Sequence, residues 1–287
     1  MVREKDKQLT MEEKKEQFAL SNEFVRMPNR LTAPELKVFY HCLTKISWSD
    51  VNEKSESGMI KVSTSVNEVR KAIGSASHDY RYYVSLLEEL QIKAWIRVDI
   101  NGFFRRAVII PDVEIRNNQE IDIYINDRLT PFIENLHKYY TVYELANTAK
   151  FQSRFALILY MNLLTWNDHS PDRKDELDER ERYYTTAQLW RMFDLKEGDY
   201  HDKQGVFKRP LFEKYVVKRA VEEINSKNVG IRIFWHKKRN GRYVDKYIFR
   251  WITVPVEEET KSESTVRMTD AAGSEYDQAA LDLPFYD

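Results

Sequence analysis

The strongest constraint on the fold of this chain is an order of elements that its 287 residues spell twice: helix, short strand, helix, helix, β-hairpin. In the first pass, Thr32-Ala33-Pro34-Glu35 reads as a helix start, with Thr32 as cap and Glu35 reaching back to it. Leu36, Phe39, Tyr40, Leu43 and Ile46 follow at spacings of three and four, which buries one face. A polar loop from Asp50 to Gly58 leads to a short strand, Met59 to Val62. Ser65-x-x-Glu68 caps a second helix through Val66, Val69 and Ile73, stopped by Gly74. A third helix is predicted over about Asp79 to Gln91. Two β-rich runs, Lys93 to Ile100 and Phe103 to Ile110, then flank Asn101-Gly102, a pair that tolerates the positive φ of a tight hairpin turn.

The second pass is clearer. Phe151 to Trp166 carries Phe155, Leu159 and Leu163 in one row, and an acidic loop (Asp168 to Arg182) precedes a short strand at Tyr183-Tyr184. Thr185-x-x-Gln188 caps a helix through Leu189, Trp190 and Phe193; a long helix follows from Pro210 to Asn225. Two strands, Val229 to Trp235 and Tyr243 to Trp251, are joined by the basic run His236 to Arg242 around Asn240-Gly241. This is the element order of a winged helix, in which the third helix enters a groove and the hairpin is the wing. The fold class is therefore α+β, two tandem winged-helix domains. The repeat is one of architecture, without residue-level self-similarity. Between the copies, Glu120 to Ile125 alternates strictly and reads as a strand of the link, followed by a short helix near Pro131 to His137. The expected division is a charged N-terminal segment at 1–20, frayed or loosely attached as a helix. Domains follow at 21–138 (dimerisation and phosphate contacts) and 139–254 (sequence reading), then a flexible acidic tail at 255–287 that is disordered over about 256–278.

Charge divides along the same lines. The net charge is only −1, but from Pro255 onward nine acids face two bases, and between Lys203 and Arg250 fourteen bases face four acids. That local net of +10 points to a polyanion partner. On a wheel at about 100° per residue, Phe212, Val216, Val217, Ala220, Val221 and Ile224 fill one side of the long helix. Lys214, Tyr215, Lys218, Arg219, Glu222 and Asn225 fall on the other, a cationic front suited to a major groove. Lys208 and Arg209 stand where the helix N-terminus offers backbone donors to phosphate. Lys237, Lys238, Arg239, Asn240 and Arg242 crowd a hairpin tip that needs only Asn240-Gly241 to turn, so their charge serves binding. The first copy is less basic: Arg81 accompanies its third helix and Arg105 and Arg106 its hairpin, for phosphate contact or subunit pairing.

Other classes are disfavoured. The single cysteine, Cys42, lies in an apolar run and allows neither an internal disulfide nor a cysteine zinc site. The six histidines (His41, His78, His137, His169, His201, His236) form no His-x-His pair of the kind a metal-dependent nickase needs, and no Gly-x-x-x-x-Gly-Lys phosphate loop occurs. No catalytic site, metal or cofactor is expected. With neither a membrane-length apolar run nor a signal peptide, the chain is expected to be soluble and cytoplasmic, without a membrane partner.

These elements resemble the initiator Rep proteins of theta-replicating iteron plasmids. The resemblance is carried by Phe151-Gln152-Ser153-Arg154-Phe155-Ala156 through Leu159-Tyr160, by Tyr184-Thr185-Thr186-Ala187-Gln188-Leu189, and by Phe207 to Asn225 with its ending Ala220-Val221-Glu222-Glu223-Ile224-Asn225. The hairpin Lys237 to Phe249 and the opening Ser21-Asn22 with Leu31 to Glu35 extend it over about 21–252. The resemblance implies monomers bound to directly repeated double-stranded origin sequences, dimers that repress the protein's own gene, and recruitment of host helicase. It implies too that the second domain reads the repeat. Separately, Ala280-Leu281-Asp282-Leu283-Pro284-Phe285 is similar to the peptide with which bacterial proteins dock on the replication sliding clamp, with Leu281, Asp282, Leu283 and Phe285 as its contacts. The competing reading is a winged-helix transcriptional repressor or partition-type DNA-binding protein with no initiator role.

Overall fold

A strand stands near the N-terminus where the charge of the segment predicts a frayed helix. In the computed structural model, β1 (Gln17–Ser21) turns Phe18 and Leu20 inward and pairs antiparallel with β7 (Tyr140–Glu144). Phe18 stacks between Tyr40 and Tyr143, with ring centroids 4.9 and 5.5 Å away. Two alternating apolar residues are too short a signal to stand out beside a mostly charged and polar stretch upstream. The structure describes residues 17–28, 30–46, 58–100, 103–116, 119–133, 136, 139–166, 179–241, 243–256, 267–269 and 275–277.

The first domain continues with α1 (Asn22–Val25), α2 (Ala33–Lys45), β2 (Met59–Ser65), α3 (Val66–Ile73) and α4 (Tyr80–Lys93). The local signals are realised: Thr32 and Glu35 form a capping box, Ser65 accepts from the Glu68 amide, and Gly74 closes α3 with a φ of 65°. After α4 come the hairpin β3 (Trp95–Ile100) and β4 (Phe103–Val108), then β5 (Asp112–Ile115) and β6 (Glu120–Asn126). Here the topology departs from expectation. The sheet order is β2-β6-β5, and β3-β4 is a separate two-stranded ribbon. The alternating strand assigned to the link is thus the centre of the first sheet, with Ile121, Ile123 and Ile125 fully buried. The hairpin in the wing's topological place is β5-β6, and β3-β4 is an addition before it. A short helix, α5 (Thr130–Ile133), precedes β7, and α6 (Leu145–Ala149) packs on α2 and α3. The first domain therefore reaches past the division expected at 138/139, because β7 is the pairing partner of β1.

The second domain comprises α7 (Arg154–Leu164), β8 (Glu179–Tyr184), α8 (Thr186–Met192), a long third helix, β9 (Ile231–Asn240) and β10 (Tyr243–Thr253), with sheet order β8-β10-β9. First strand, third strand, second strand is the order of the first domain's sheet as well. Its core joins Tyr247, Phe249 and Trp251 of β10 to Phe212, Val216, Ala220 and Ile224 of the third helix and Leu189 of α8, all fully or almost fully buried.

The two domains are tied through the end of α7. Asn22, 1% exposed, donates to the Thr165 carbonyl at 3.2 Å and accepts from the Thr141 hydroxyl at 2.7 Å. Arg26 bonds both Thr165 oxygens, at 3.1 and 3.2 Å, and lays its guanidinium 3.7 Å from the Trp166 ring centroid. Arg182 of β8 lies 3.6 Å from the same centroid. Two guanidinium carbons that close to one centroid would overlap on a single face, so the arginines sandwich the indole.

Val256–Asp287 form a separate unit. Where composition predicts disorder, its described residues pair as β11 (Arg267–Thr269) with β12 (Glu275–Asp277). Leu281, Asp282, Leu283 and Phe285 lie outside the described residues. No helix among the described residues is long and apolar enough to cross a membrane.

Candidate nucleic-acid interface

The third helix of the second domain starts at Arg209, with Pro210 presetting its first turn. It comprises α9 (Arg209–Phe212), a π-helical turn (Glu213–Lys218) and α10 (Arg219–Ser226), with right-handed helical backbone across both junctions. Phe212, Val216, Val217, Ala220, Val221 and Ile224 are 0–5% exposed. In a π turn each residue advances by a smaller angle than in an α-helix, which lets Val216 and Val217 both face the core below Phe212. Lys214, Tyr215, Lys218, Arg219 and Glu222 are exposed, Tyr215 by 45%. The helical period therefore assigns the two faces correctly, with one exception of role. Asn225 is spent on the sheet: its amide donates to the Ile233 carbonyl and accepts from the Ile233 N–H, both at 2.7 Å. β9 is an edge strand, and the side-chain amide stands in for one residue of a missing neighbour strand.

The residues before the helix are partly occupied. Lys208 Nζ lies 2.6 Å from Asp202, whose carboxylate also accepts from the Val206 and Gln204 amides at 2.8 and 3.0 Å. The Lys208 hydrogen bond first, and the Val206 amide next, hold the Asp202 carboxyl below its usual range. Arg209 is half-buried.

The basic run His236 to Asn240 is strand, not loop. β9 and β10 pair from Ile231↔Thr253 to Asn240↔Tyr243, with a bulge between Val244 and Lys246. The turn is one residue later than Asn240-Gly241 suggests: Gly241 opens it with a φ of 59°, as the primed hairpin turns require, and Arg242 lies outside the described residues. Because strand side chains alternate, the wing's bases divide between two faces. His236, Lys238 and Asn240 point to the outer face, and Lys238 is opposite Lys246. Lys237 and Arg239 point to the helix side, and Lys237 is opposite Tyr247. Lys237 Nζ sits 2.6 Å from a Glu213 oxygen, and the Tyr247 hydroxyl donates to the other at 3.2 Å. Burial first, and the Glu213 carboxylate next, push the Tyr247 phenol well above its usual range. Lys238 and Arg239 are exposed and have no ionic partner among the described residues, and Tyr243 at the tip is 76% exposed. Lys214, Tyr215, Lys218 and Arg219 therefore share the helix front, and Lys238, Arg239 and Asn240 the wing. Lys237 and Lys208 are held by carboxylates of their own domain, and Lys218 stands 3.5 Å from Glu222 in an exposed pair.

The first domain offers less. Arg81 is exposed on the first turn of α4, where Asp79 caps its amide at 3.0 Å. Arg105 and Arg106 belong to the additional ribbon β3-β4, not to the wing position, and their side chains lie outside the described residues. In the wing position, Arg116 is neutralised by Asp122 and by Glu120 at 3.4 Å. Sequence reasoning missed the roles of Glu213 and Asn225. The available signal was an acid directly after buried Phe212 inside a cationic run, and a lone Asn closing the helix before an edge strand.

A three-helix unit closed by a three-stranded sheet, with a cationic third helix and a basic hairpin, defines a tandem winged-helix protein of the DNA-binding class. The family model described as initiator replication protein matches in both parts: its first winged helix over residues 17–164 and its second over 185–251. The chain belongs to that initiator family. Among solved structures, the Pi initiator protein, crystallised in complex with iteron DNA, is 18% identical with a TM-score of 0.61, covering 84% of this chain and 98% of that one. A search of the curated proteins finds no match.

Proposed function

We propose that this initiator binds directly repeated double-stranded DNA at a plasmid origin in the cytoplasm and starts theta replication there by binding alone, without a catalytic step. The observation that carries the reading is the second domain's exposed set of Lys214, Lys218 and Arg219 on the helix with Lys238 and Arg239 on the wing. The helix front reaches guanine acceptors and groove-edge phosphates, while the wing neutralises the adjoining backbone. The Pi initiator, of the same fold, was crystallised on iteron DNA, which supports repeats as the target. The first domain, with Arg81, Arg105 and Arg106, serves phosphate contact and pairing of two copies, the dimer repressing the protein's own gene. Host helicase is recruited once the origin is opened, and the C-terminal Leu281 to Phe285 peptide docks on the sliding clamp.

The test is a footprint of the purified protein across DNA flanking its own gene, with Lys218→Ala/Arg219→Ala alongside. Evenly spaced direct repeats protected by the wild type and lost in the variant are the expected result. A single palindrome indifferent to those substitutions overturns the reading in favour of a repressor.

A further inference from the structure

We propose that Glu213 is the positioning residue that holds the wing in register with the reading helix, and that Lys237 is its strut and not a DNA contact. The proposal rests on the DNA-binding reading above and assigns roles within that surface.

Two ties fasten the third helix to β9. At the C-terminal end, Asn225 clasps the Ile233 backbone. Four residues further along the same face of β9, Lys237 reaches Glu213 at the opposite end of the helix. The apolar core fixes the helix on the sheet, and the two polar ties set its register against β9 at both ends. Glu213 also opens the π turn on which Lys214, Tyr215 and Lys218 are displayed, so the residue that anchors the wing sits where the phase of the reading face is set. The Glu213 side chain is 14% exposed and its two oxygens are taken by Lys237 and by Tyr247, whose ring is buried in the core. The Lys237 ammonium is drawn to that carboxylate, 2.6 Å away. Lys237 is already neutralised within the protein, so DNA binding displaces no counterion from it. Lys238, one residue on and facing the other way, has no such partner among the described residues.

The two kinds of lysine separate by salt dependence. Titrations of the full chain with a duplex carrying the footprinted site, over a range of salt, give the slope of log K against log salt. Lys238→Ala is expected to make it shallower by about 0.9, one phosphate contact. Lys237→Met is expected to leave the slope within error of the wild type, and both it and Glu213→Gln to lower affinity on the order of tenfold, about 1.4 kcal/mol. The double variant should lose no more than either single one, and Lys237→Arg should restore affinity. A slope reduced by Lys237→Met as much as by Lys238→Ala overturns the proposal, as do additive losses in the double variant. Thermal unfolding of the wild type, Lys237→Met, Glu213→Gln and the double variant without DNA reports the strut by itself. Additive melting shifts refute it even where the wild type binds DNA. Coupled melting shifts in a wild type that binds no specific site keep the strut, but overturn the DNA reading and the positioning role with it.

Discussion

Replacing Asn225 separates two readings of one polar side chain on a cationic helix. Seen on the helix alone, Asn225 belongs to the front that meets DNA, and Asn is a natural partner for adenine. In the fold it bonds the N–H and C=O of Ile233, both at 2.7 Å, on the unpaired edge of β9. Asn225→Ala leaves both backbone groups without a partner beside a residue that is 1% exposed. A lost partner costs about 1–3 kcal/mol in full burial, and partial water access puts each group near the low end, so the sum is roughly 2–3 kcal/mol. For a protein of this size that is a fall in Tm of about 4–6 °C. Asn225→Asp is expected to be no better: a carboxylate accepts from the Ile233 N–H but sets an oxygen against the Ile233 carbonyl. Thermal unfolding of both variants, read by circular dichroism without DNA, is the assay. A Tm unchanged within about a degree, together with a collapse in site-specific DNA binding, would refute the latch and return Asn225 to the reading face.

Other expectations follow from the same geometry. Lys218→Ala/Arg219→Ala should shallow the salt slope of DNA binding by up to about 2, as two phosphate contacts are lost, with Tm little changed; an unchanged slope removes both residues from the interface. His41 is buried against Thr64, at 2.9 Å, and burial first, then nearby Lys45, lower its pKa to about 4. The folded state thus binds its proton later than the unfolded chain, so stability is complete above the unfolded value of 6.5 and is lost as pH falls from there towards 4. Urea titrations of His41→Asn between those limits should show a pH slope flatter by up to about 1.4 kcal/mol per pH unit, and a slope identical to the wild type's contradicts the assignment. Trp166→Leu removes the surface that Arg26 and Arg182 sandwich and should cost about 1–3 kcal/mol. Limited proteolysis should then cut between the domains faster; equal cutting rates would show that the sandwich does not hold the junction.

What local chemistry decides was legible in the sequence. Caps at Thr32, Ser65 and Thr185, the stop at Gly74, and the apolar and cationic sides of the third helix all depend on residues within one or two turns of each other, and the structure places each as the spacing predicts. Element order sufficed for two winged helices because each capped helix buries its apolar face against the helices and strands of its own unit. Strand partnership was not legible. β1 finds β7 some 120 residues away, and β6, which reads as a link, becomes the centre of the first sheet through its pairing with β2 and β5. An alternating strand records which face is buried but not against which neighbour. The same limit governs the interface. Composition counts Lys237 and Lys238 as equal charges, but β9 continues through them and the strand period turns one inward to Glu213 and leaves the other on the outer face. Sequence by itself determined that this region is cationic and helical. Tertiary structure decided which cations are available to DNA, because availability depends on carboxylates and backbone groups that only folding brings within hydrogen-bond reach.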